Sequence, residues 1–232
     1  MSDVIKSALT SLIQGERPGP DSIRACFEDI MNGEVSEAQM GAFLIALRMR
    51  GEQVTDIAAA ATVMREKAAT ITASDATMDI VGTGGDGFGT YNISTASAFV
   101  VAGCGIPVAK HGNKAVSSQS GAADVLSALG IKLDCDFSLV EQALDEANIA
   151  FLMAPRHHAA MRHVAPVRAA LGVRTIFNML GPLANPALVK RIMVGVYDRS
   201  YCAPFAHVLA ELGTTHAWVV HGADGLDEVS TT

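Results

Sequence analysis

The chain has 232 residues, of which 50% are hydrophobic and 18% charged, and its formal net charge is −7. This length and composition predict a compact globular protein with one large domain or two smaller ones, and they exclude a disordered chain. The acidic balance argues against a general nucleic-acid or anionic-membrane binder, because such proteins need a basic face. A local basic pocket for a small anion is still compatible with it.

The cysteines and the hydrophobic pattern indicate the compartment. Cys26, Cys104, Cys135 and Cys202 show no C-x-x-C spacing and have apolar neighbours, so we expect buried free thiols in a reducing compartment. No stretch approaches the roughly 20 apolar residues that cross a bilayer, and residues 1–15 do not resemble a signal peptide. The expected location is the cytoplasm.

Residues 1–69 predict a series of amphipathic helices without a phosphate, metal or nucleophile motif. Ser36 and Gln39 form a capping-box pattern at the start of the third helix. Thr55 is expected to cap a fourth, Ala-rich helix that reaches about Lys67. We interpret this region as a scaffold or a dimer surface.

After a linker at 70–77, the pattern changes to alternating strands and helices, which predicts an α/β fold with a mostly parallel sheet. The predicted strands are 78–81, 106–109, 149–153, 191–197 and 215–220. The predicted helices are 92–103, 121–129, 138–147 and 203–212.

A glycine-rich segment follows the first strand. Residues 82–89 hold five glycines, and residues 92–95 (Asn-Ile-Ser-Thr) open the next helix. Glycines permit close backbone approach, and free N–H groups at a helix N-terminus can bind an anion. The spacing is neither that of a P-loop nor that of a dinucleotide-binding fingerprint. The alternative is an ordinary tight strand–helix turn.

A second polar loop, residues 110–118 (Lys-His-Gly-Asn-Lys-Ala-Val-Ser-Ser), follows the second strand. Lysines with small polar groups suit a diphosphate or a ribose phosphate. Ligands bind at the carboxyl ends of strands in such sheets, so the two loops support each other. The alternative is a solvated, charged loop.

Three later segments have weaker signals. Residues 155–174 hold three histidines within seven residues, but their spacing does not favour a metal site. An arginine there can bind a substrate carboxylate, and the alternative of a charged surface helix suits Arg162 better than Arg168. Residues 177–186 are interpreted as a structural crossover between domains, without chemistry of its own.

Residues 221–228 form the last of these segments, a Gly-rich turn that ends in Asp227 and Glu228. Mg²⁺ is commonly held by one or two carboxylates together with substrate phosphates, so an acidic loop beside phosphate-binding loops fits that ion. The alternative is an acidic surface turn.

Taken together, these segments resemble the anthranilate phosphoribosyltransferase family of tryptophan biosynthesis, and the resemblance covers essentially the whole chain. The motifs that carry it are Gly82-Thr83-Gly84-Gly85-Asp86, Asn92-Ile93-Ser94-Thr95, Lys110-His111-Gly112-Asn113, Gly121-Ala122-Ala123-Asp124-Val125-Leu126, residues 177–186 (Phe-Asn-Met-Leu-Gly-Pro-Leu-Ala-Asn-Pro) and Gly225-Leu226-Asp227-Glu228. Each motif is weak alone, and their common order is specific.

The resemblance implies a small helical domain and a larger α/β domain of the type shared with nucleoside phosphorylases. The helical domain would comprise 1–69 joined by about 164–186, and the α/β domain 78–163 and 187–232. Family chains continue for about another 100 residues, so we expect the α/β domain to be incomplete at its C-terminus, with an exposed strand edge. The resemblance also implies a homodimer through the helical domain.

The resemblance further implies the ligands and their sites. The residues expected to bind phosphoribosyl pyrophosphate (PRPP) are Gly82, Gly85, Asp86, Thr90, Asn92, Ile93, Ser94, Thr95, Lys110, His111, Gly112, Asn113, Lys114, Ala115, Val116, Ser117 and Ser118. Those expected to contact anthranilate are Gly82, Asn113 and Arg168. Those expected to hold Mg²⁺ are Ser94, Asp227 and Glu228. No general base is assigned, and His111 is a candidate proton acceptor.

Four readings remain open. The first is phosphoribosyl transfer to anthranilate, with an anthranilate synthase subunit as a further candidate partner. The second is a pyrimidine nucleoside phosphorylase, for which a carboxylate-binding Arg168 has no obvious use. The third is a catalytically silent nucleic-acid binder, which the charge of −7 disfavours. The fourth is a non-functional fragment that retains a dimerising helical domain.

Overall fold

The computed structural model describes residues 2–84, 87–115 and 121–231. The chain forms two compact units: a helical unit of Met1–Ala68 with His158–Ala184, and an α/β unit of Ala69–His157 with Asn185–Thr232. The return of the chain to the helical unit therefore begins at His158, earlier than residue 164 of the sequence analysis. Within the described part of the chain, no helix has the length and apolar character needed to span a bilayer.

The helical unit has four long helices followed, after the α/β excursion, by shorter ones. They are α1 (Asp3–Gln14), α2 (Pro20–Asn32), α3 (Glu37–Arg50), α4 (Val54–Glu66), a 3-10 turn (Ala159–His163), α9 (Ala165–Leu171) and α10 (Phe177–Leu183). Ser36 caps α3 as predicted, because its hydroxyl accepts the Gln39 amide at 3.3 Å. The predicted cap of α4 was wrong. The helix begins at Val54, and the Asp56 carboxylate accepts the Gln53 amide at 2.9 Å, so Thr55 lies inside the first turn.

Aromatic packing fixes the core of the helical unit. Phe27 of α2 is fully buried and meets Phe43 of α3 and Phe177 of α10 edge to face, at ring-centroid distances of 6.0 and 5.6 Å. Residues 177–183 thus form a mostly buried helix instead of the predicted bent crossover. The apolar residues of this segment explain the difference, since they are needed to cover the core.

The α/β unit contains a five-stranded, wholly parallel sheet in the order β3-β2-β1-β4-β5. Its strands are β1 (Met78–Gly82), β2 (Val108–Gly112), β3 (Ile149–Met153), β4 (Arg191–Gly195) and β5 (His216–Val220). Its helices are α5 (Ile93–Gly103), α6 (Ala122–Ala128), α7 (Phe137–Ala147), α8 (Ala154–His157) and α11 (Cys202–Glu211), with a 3-10 turn at Arg199–Tyr201. The predicted fold class is confirmed.

Apolar clusters cover the sheet around β2 and β3. Ala98 and Ala102 of α5 pack on Val108, and Leu144 of α7 packs in the cluster that includes Ala109 and Leu152. At the other end of the sheet, β5 pairs with β4 alone among the described strands, and its Trp218 is 69% exposed.

The second strand differs from the prediction. It was expected at 106–109, but β2 runs from Val108 to Gly112 and contains Lys110 and His111, which are only 3% and 4% exposed. The polar character of Lys110 and His111 predicts the end of the strand. The two residues continue it because the Lys110 ammonium donates to Ile80 of β1 and to Ser94, and the His111 backbone amide donates to Asp79 of β1.

The cysteines are unpaired, as predicted, but the prediction that all are buried was wrong. Cys26 lies in the helical core, where burial raises the pKa of its thiol to about 12. Cys104 is exposed, and Cys135 and Cys202 are partly exposed, because they lie at the ends of helices or in a connection.

The aromatic contact in the helical unit gives a stability prediction. Phe27→Ala should lower the free energy of unfolding by about 3 to 5 kcal/mol, because it opens a cavity beside two other rings. Ile13→Ala is the control, since Ile13 is 72% exposed, and it should change stability by less than about 0.5 kcal/mol. Urea unfolding followed by circular dichroism measures both, and equal effects would contradict the assigned core.

Candidate functional site

The carboxyl ends of the parallel strands meet along one edge of the sheet. From β1 the chain proceeds to β2 and β3 on one side, and β4 and β5 lie on the other. The edge above β1 and β4 is therefore a topological switch point, where loops diverge and ligands bind in open α/β sheets. The predicted polar loops follow strands that end at this edge.

Asp227 lies against the ends of β1 and β4. Its side chain is 8% exposed, and one carboxylate oxygen accepts the Gly84 amide at 2.9 Å. A Cβ atom on Gly82 would lie 3.0 Å from that same oxygen, and one on Gly195 would overlap the Asp227 backbone carbonyl. The glycines are needed here because the acidic segment approaches the strand ends so closely.

Lys110 brings a buried cation to the same region. Its Nζ donates to the Ile80 carbonyl at 2.6 Å and to Ser94 Oγ at 3.3 Å. Burial lowers the pKa of Lys110, whereas the negative charges of Asp79 and Glu228 oppose that shift. Since Glu228 acts on Lys110 and Lys110 contacts Ser94, the predicted metal-binding residues and the predicted phosphate-binding lysine belong to one electrostatic cluster.

The N-terminus of α5 adds hydrogen-bonding groups. The helix begins at Ile93, and Thr95 Oγ1 donates to Asn92 Oδ1 at 3.4 Å. Asn92, Ile93 and Ser94 are half-buried, whereas Thr90 is exposed. This arrangement offers amides and hydroxyls to an anion beside Lys110.

Asp124 holds the second loop at both sides. Its Oδ2 accepts the amides of Ala115 and Gly121, each at 2.8 Å. These hydrogen bonds, that of Ala115 first, hold the pKa of Asp124 below its usual range. Asn113 and Lys114 are exposed. The predicted ligand residues Gly85, Asp86, Val116, Ser117 and Ser118 lie outside the described residues.

Arg168 lies on α9, in the helical unit. Its side chain is half-buried, and burial lowers the pKa of the guanidinium. No ion pair to Arg168 occurs within residues 2–84, 87–115 and 121–231. The exposed Arg162 precedes it in the 3-10 turn. An arginine in this environment is available for the carboxylate of a ligand.

The adjacent histidines have a structural environment. His157 is 2% exposed, its Nδ1 lies 2.6 Å from the Ala69 carbonyl, and its ring stacks on Phe137 at 4.4 Å. Burial lowers its pKa. Among the described residues, no group of three or more His, Cys, Asp or Glu side chains could hold a metal ion. A metal at the acidic loop would therefore depend on two carboxylates and on ligand oxygens.

Comparisons with known proteins decide the family. A family model described as "Glycosyl transferase family, a/b domain" matches residues 74–232, and one described as "Glycosyl transferase family, helical bundle domain" matches residues 6–68. Anthranilate phosphoribosyltransferase from Azospirillum brasilense is 58% identical over 98% of this chain and 64% of its own length. The chain belongs to the anthranilate phosphoribosyltransferase family.

Solved structures agree with that assignment. Anthranilate phosphoribosyltransferase from Thermus thermophilus matches with a TM-score of 0.89 and 46% identity, over 96% of this chain and 67% of that one. The Saccharomyces cerevisiae enzyme in complex with PRPP and Mg matches with a TM-score of 0.92 and 31% identity, over 99% and 69%. The chain spans less than two-thirds of the length of the Azospirillum relative. The family resemblance drawn from the motifs is confirmed.

Sequence reasoning missed one buried pair in this family member. Asn185 Nδ2 donates to Asp79 Oδ2 and to the Ala109 carbonyl, each at 2.8 Å. Both side chains are almost fully buried. Asn185 was treated as part of a crossover without chemistry. Nothing in the sequence around Asn185 indicates a partner 106 positions away. Asp79 did offer a cue to a buried polar contact, because it is a charged residue within an apolar strand.

A cavity of about 380 Å³ lies beside the phosphate-loop region without containing it. Its lining is mostly apolar and comes from α5, α7 and the β2–β3 part of the sheet, with Lys110 and Thr95 among the few polar contributors. Of the residues that the structure describes, neither Asp227 nor any in the glycine-rich loop lines it. The site at the strand ends is therefore the better candidate, because the charged and hydrogen-bonding groups converge there.

The close approach at the strand ends predicts the effect of one methyl group. Gly195→Ala should displace the Asp227 backbone, lower Tm by several degrees, and weaken Mn²⁺ binding by about tenfold or more. Gly103→Ala is the matched control, because a Cβ there meets no atom within 4 Å. Differential scanning calorimetry and the electron paramagnetic resonance signal of free Mn²⁺ measure the two effects. Unchanged Mn²⁺ binding in Gly195→Ala would show that the metal site does not depend on this approach.

Proposed function

We propose that this chain transfers the phosphoribosyl group of PRPP to the amine of anthranilate, giving N-(5-phosphoribosyl)anthranilate and pyrophosphate. One observation carries the proposal. The acidic segment at Asp227 bonds to the glycine-rich loop at Gly84, beside the buried Lys110–Ser94 contact. Anion-binding and cation-binding groups are thus combined at the switch point of the sheet, as a diphosphate with a divalent ion requires. The Saccharomyces relative supports it, since it was solved with PRPP and Mg.

The residues at the site fit Mg²⁺. Asp227, Glu228 and Ser94 provide only oxygen ligands, and two carboxylates leave room for phosphate and water oxygens, as this ion prefers. The hydrogen bond from the Gly84 amide holds the Asp227 carboxylate at the strand ends, where a diphosphate would also lie. When bound, the ion would neutralise negative charge on the leaving diphosphate.

The chemistry asks for positioning and charge stabilisation more than for a strong base. The bond from ribose C1 to the pyrophosphate oxygen breaks, and a bond from the amine nitrogen to C1 forms, with loss of one proton from nitrogen. Positive charge develops on the ribose as in glycoside cleavage. Backbone amides at the glycine-rich loop and at α5, with Lys110, would stabilise the departing pyrophosphate. The amine is neutral at pH 7, and His111 stays the candidate proton acceptor.

Arg168 is proposed to bind the anthranilate carboxylate. Its half-buried guanidinium has no ion-pair partner among the described residues, and a planar carboxylate can accept two of its hydrogen bonds. The roles of Gly82 and Asn113 toward anthranilate stay predictions. So do the homodimer, the anthranilate synthase partner and the cytoplasmic location.

The carboxylate role gives a kinetic prediction. Arg168→Ala should raise KM for anthranilate about 10- to 100-fold, because a charged hydrogen bond is lost, and leave KM for PRPP nearly unchanged. Arg162→Ala is the control from the same segment. Loss of anthranilate fluorescence in the presence of PRPP and Mg²⁺ measures turnover. Equal effects of the two substitutions would exclude the proposed role.

The acidic loop gives a second prediction. Asp227→Asn keeps an acceptor for Gly84 but removes a charge, and it should raise the Mg²⁺ concentration for half-maximal pyrophosphate binding by about tenfold or more. The exposed Asp134 provides the control Asp134→Asn. Isothermal titration with pyrophosphate at several Mg²⁺ concentrations measures this without turnover. Mg²⁺-independent binding by the unmodified chain would contradict the proposed metal role.

A further inference from the structure

The carboxylate of Asp79 lies beneath the second phosphate-binding loop and makes contacts on two sides. It is 0% exposed on β1. Its Oδ1 accepts the backbone amide of His111 on β2 at 3.2 Å, and its Oδ2 accepts Asn185 Nδ2 at 2.8 Å. Both contacts present a donor to a carboxylate oxygen, which is the arrangement that an ionised carboxylate requires.

Asn185 extends these contacts to the chain around it. Its Nδ2 also donates to the Ala109 carbonyl at 2.8 Å, and its Oδ1 accepts the Ala187 amide at 2.8 Å. The pair therefore bonds to β2 both before and after Lys110, at Ala109 and at His111. Lys110 itself points away, toward Ile80 and Ser94.

From this geometry we propose that Asp79, together with Asn185, is a positioning residue for the loop that begins at Lys110. The pair fixes the backbone of β2 on either side of Lys110 and so sets where Lys110 and Asn113 lie for a diphosphate ligand. Asp79 does not touch the ligand. The inference rests on the proposed phosphate-binding function, but the anchoring of His111 can be tested without it.

The electrostatic surroundings make the anchor dependent on pH. Burial raises the pKa of Asp79 to about 6, against the opposing charge of Lys110 and the hydrogen bonds from Asn185 and from the His111 and Ile80 backbone amides. The side chain of His111 is the other titratable group on this face of β2, by strand alternation. From β4 the register partner is the apolar Ile192. Below about pH 6 a proton on Asp79 would oppose one of its hydrogen-bond donors.

The first test is amide hydrogen exchange at His111, measured by NMR or mass spectrometry on the whole chain. In Asp79→Asn the exchange should accelerate about tenfold or more, because the oxygen that accepts the His111 amide no longer carries a negative charge. Asp75→Asn is the matched control, since Asp75 is 86% exposed and pairs with Lys190 at the surface. Equal protection in Asp79→Asn and the unmodified chain would overturn the anchor.

The second test is pyrophosphate affinity in the presence of Mg²⁺. Asp79→Asn should weaken binding about tenfold, with Asp75→Asn unchanged. A general loss of stability would weaken binding without a specific loss of protection at His111. Weakened pyrophosphate binding by a folded Asp79→Asn variant whose His111 amide stays protected would therefore contradict the proposal.

The third test needs only the unmodified chain, so it survives if Asp79→Asn fails to fold. The Asp79 carboxyl ¹³C shift and the Asn185 side-chain amide shift should titrate together, with an apparent pKa near 6, and independent titration of the two groups would overturn the contact between them. The folded pKa lies above the ordinary value of about 4, so protonation between about pH 4 and 6 favours the folded state. Protonation of Asp79 in this pH range therefore does not unfold the chain, and the observed titration cannot be caused by unfolding. If Asp79 and Asn185 titrate together while pyrophosphate does not bind, the proposed function fails and the anchor stands.

Discussion

The close approach of Asp227 to two glycines is the constraint on which the site depends. Gly82 and Gly195 are register partners at the carboxyl ends of β1 and β4. Neither has a side chain, so their pairing leaves a gap that the acidic segment occupies. The Asp227–Gly84 hydrogen bond spans 143 residues. The glycine-rich loop and the acidic loop are therefore parts of one structure, and neither can be placed without the other.

Two buried charges organise β1 and β2 below that gap. Asp79 and Lys110 lie on neighbouring strands but bond on different sides, and their hydrogen bonds are reciprocal. The carbonyl of Ile80, which follows Asp79, accepts a hydrogen bond from Lys110. The amide of His111, which follows Lys110, donates one to Asp79. Each charge is thus satisfied by the backbone next to the other. A buried ion without such partners would cost several kcal/mol, so the arrangement explains why a strand can carry both.

Features that depend on residues close together in the chain could be predicted from the sequence, whereas contacts between distant segments could not. Ser36 caps α3 through a residue three positions away, and such local patterns are legible in a sequence. The strand–helix alternation identified the parallel sheet for the same reason. The end of β2 was misplaced because Lys110 and His111 are polar, and only contacts from β1 explain why they continue a buried strand. The Asp79–Asn185 bond is a tertiary contact, which no local pattern marks.

The cap of α4 shows a related limit. Gln53 and Thr55 both lie at the start of an apolar helical pattern. Threonine is among the residues preferred at the N-cap of a helix, so the sequence favours Thr55. The structure uses Gln53 because Asp56 accepts its amide and also lies 3.6 Å from Arg17 in another part of the helical unit. A tertiary ion pair thus decides between two adjacent helix starts.

The acidity of the chain bears on how it can bind a polyanion. With a net charge of −7, the surface as a whole does not attract diphosphates, so recognition has to be local. Among the described residues, the buried and half-buried groups at the strand ends include backbone amides, the hydroxyl of Ser94 and Lys110, which is 3% exposed. Such groups are screened little by salt and are effective only at short range. The carboxylates of Asp227 and Glu228 would repel a bare diphosphate, and they become favourable when a divalent cation lies between. Under the proposed function, the same acidic segment that closes the gap above β1 and β4 would therefore make diphosphate binding conditional on the metal.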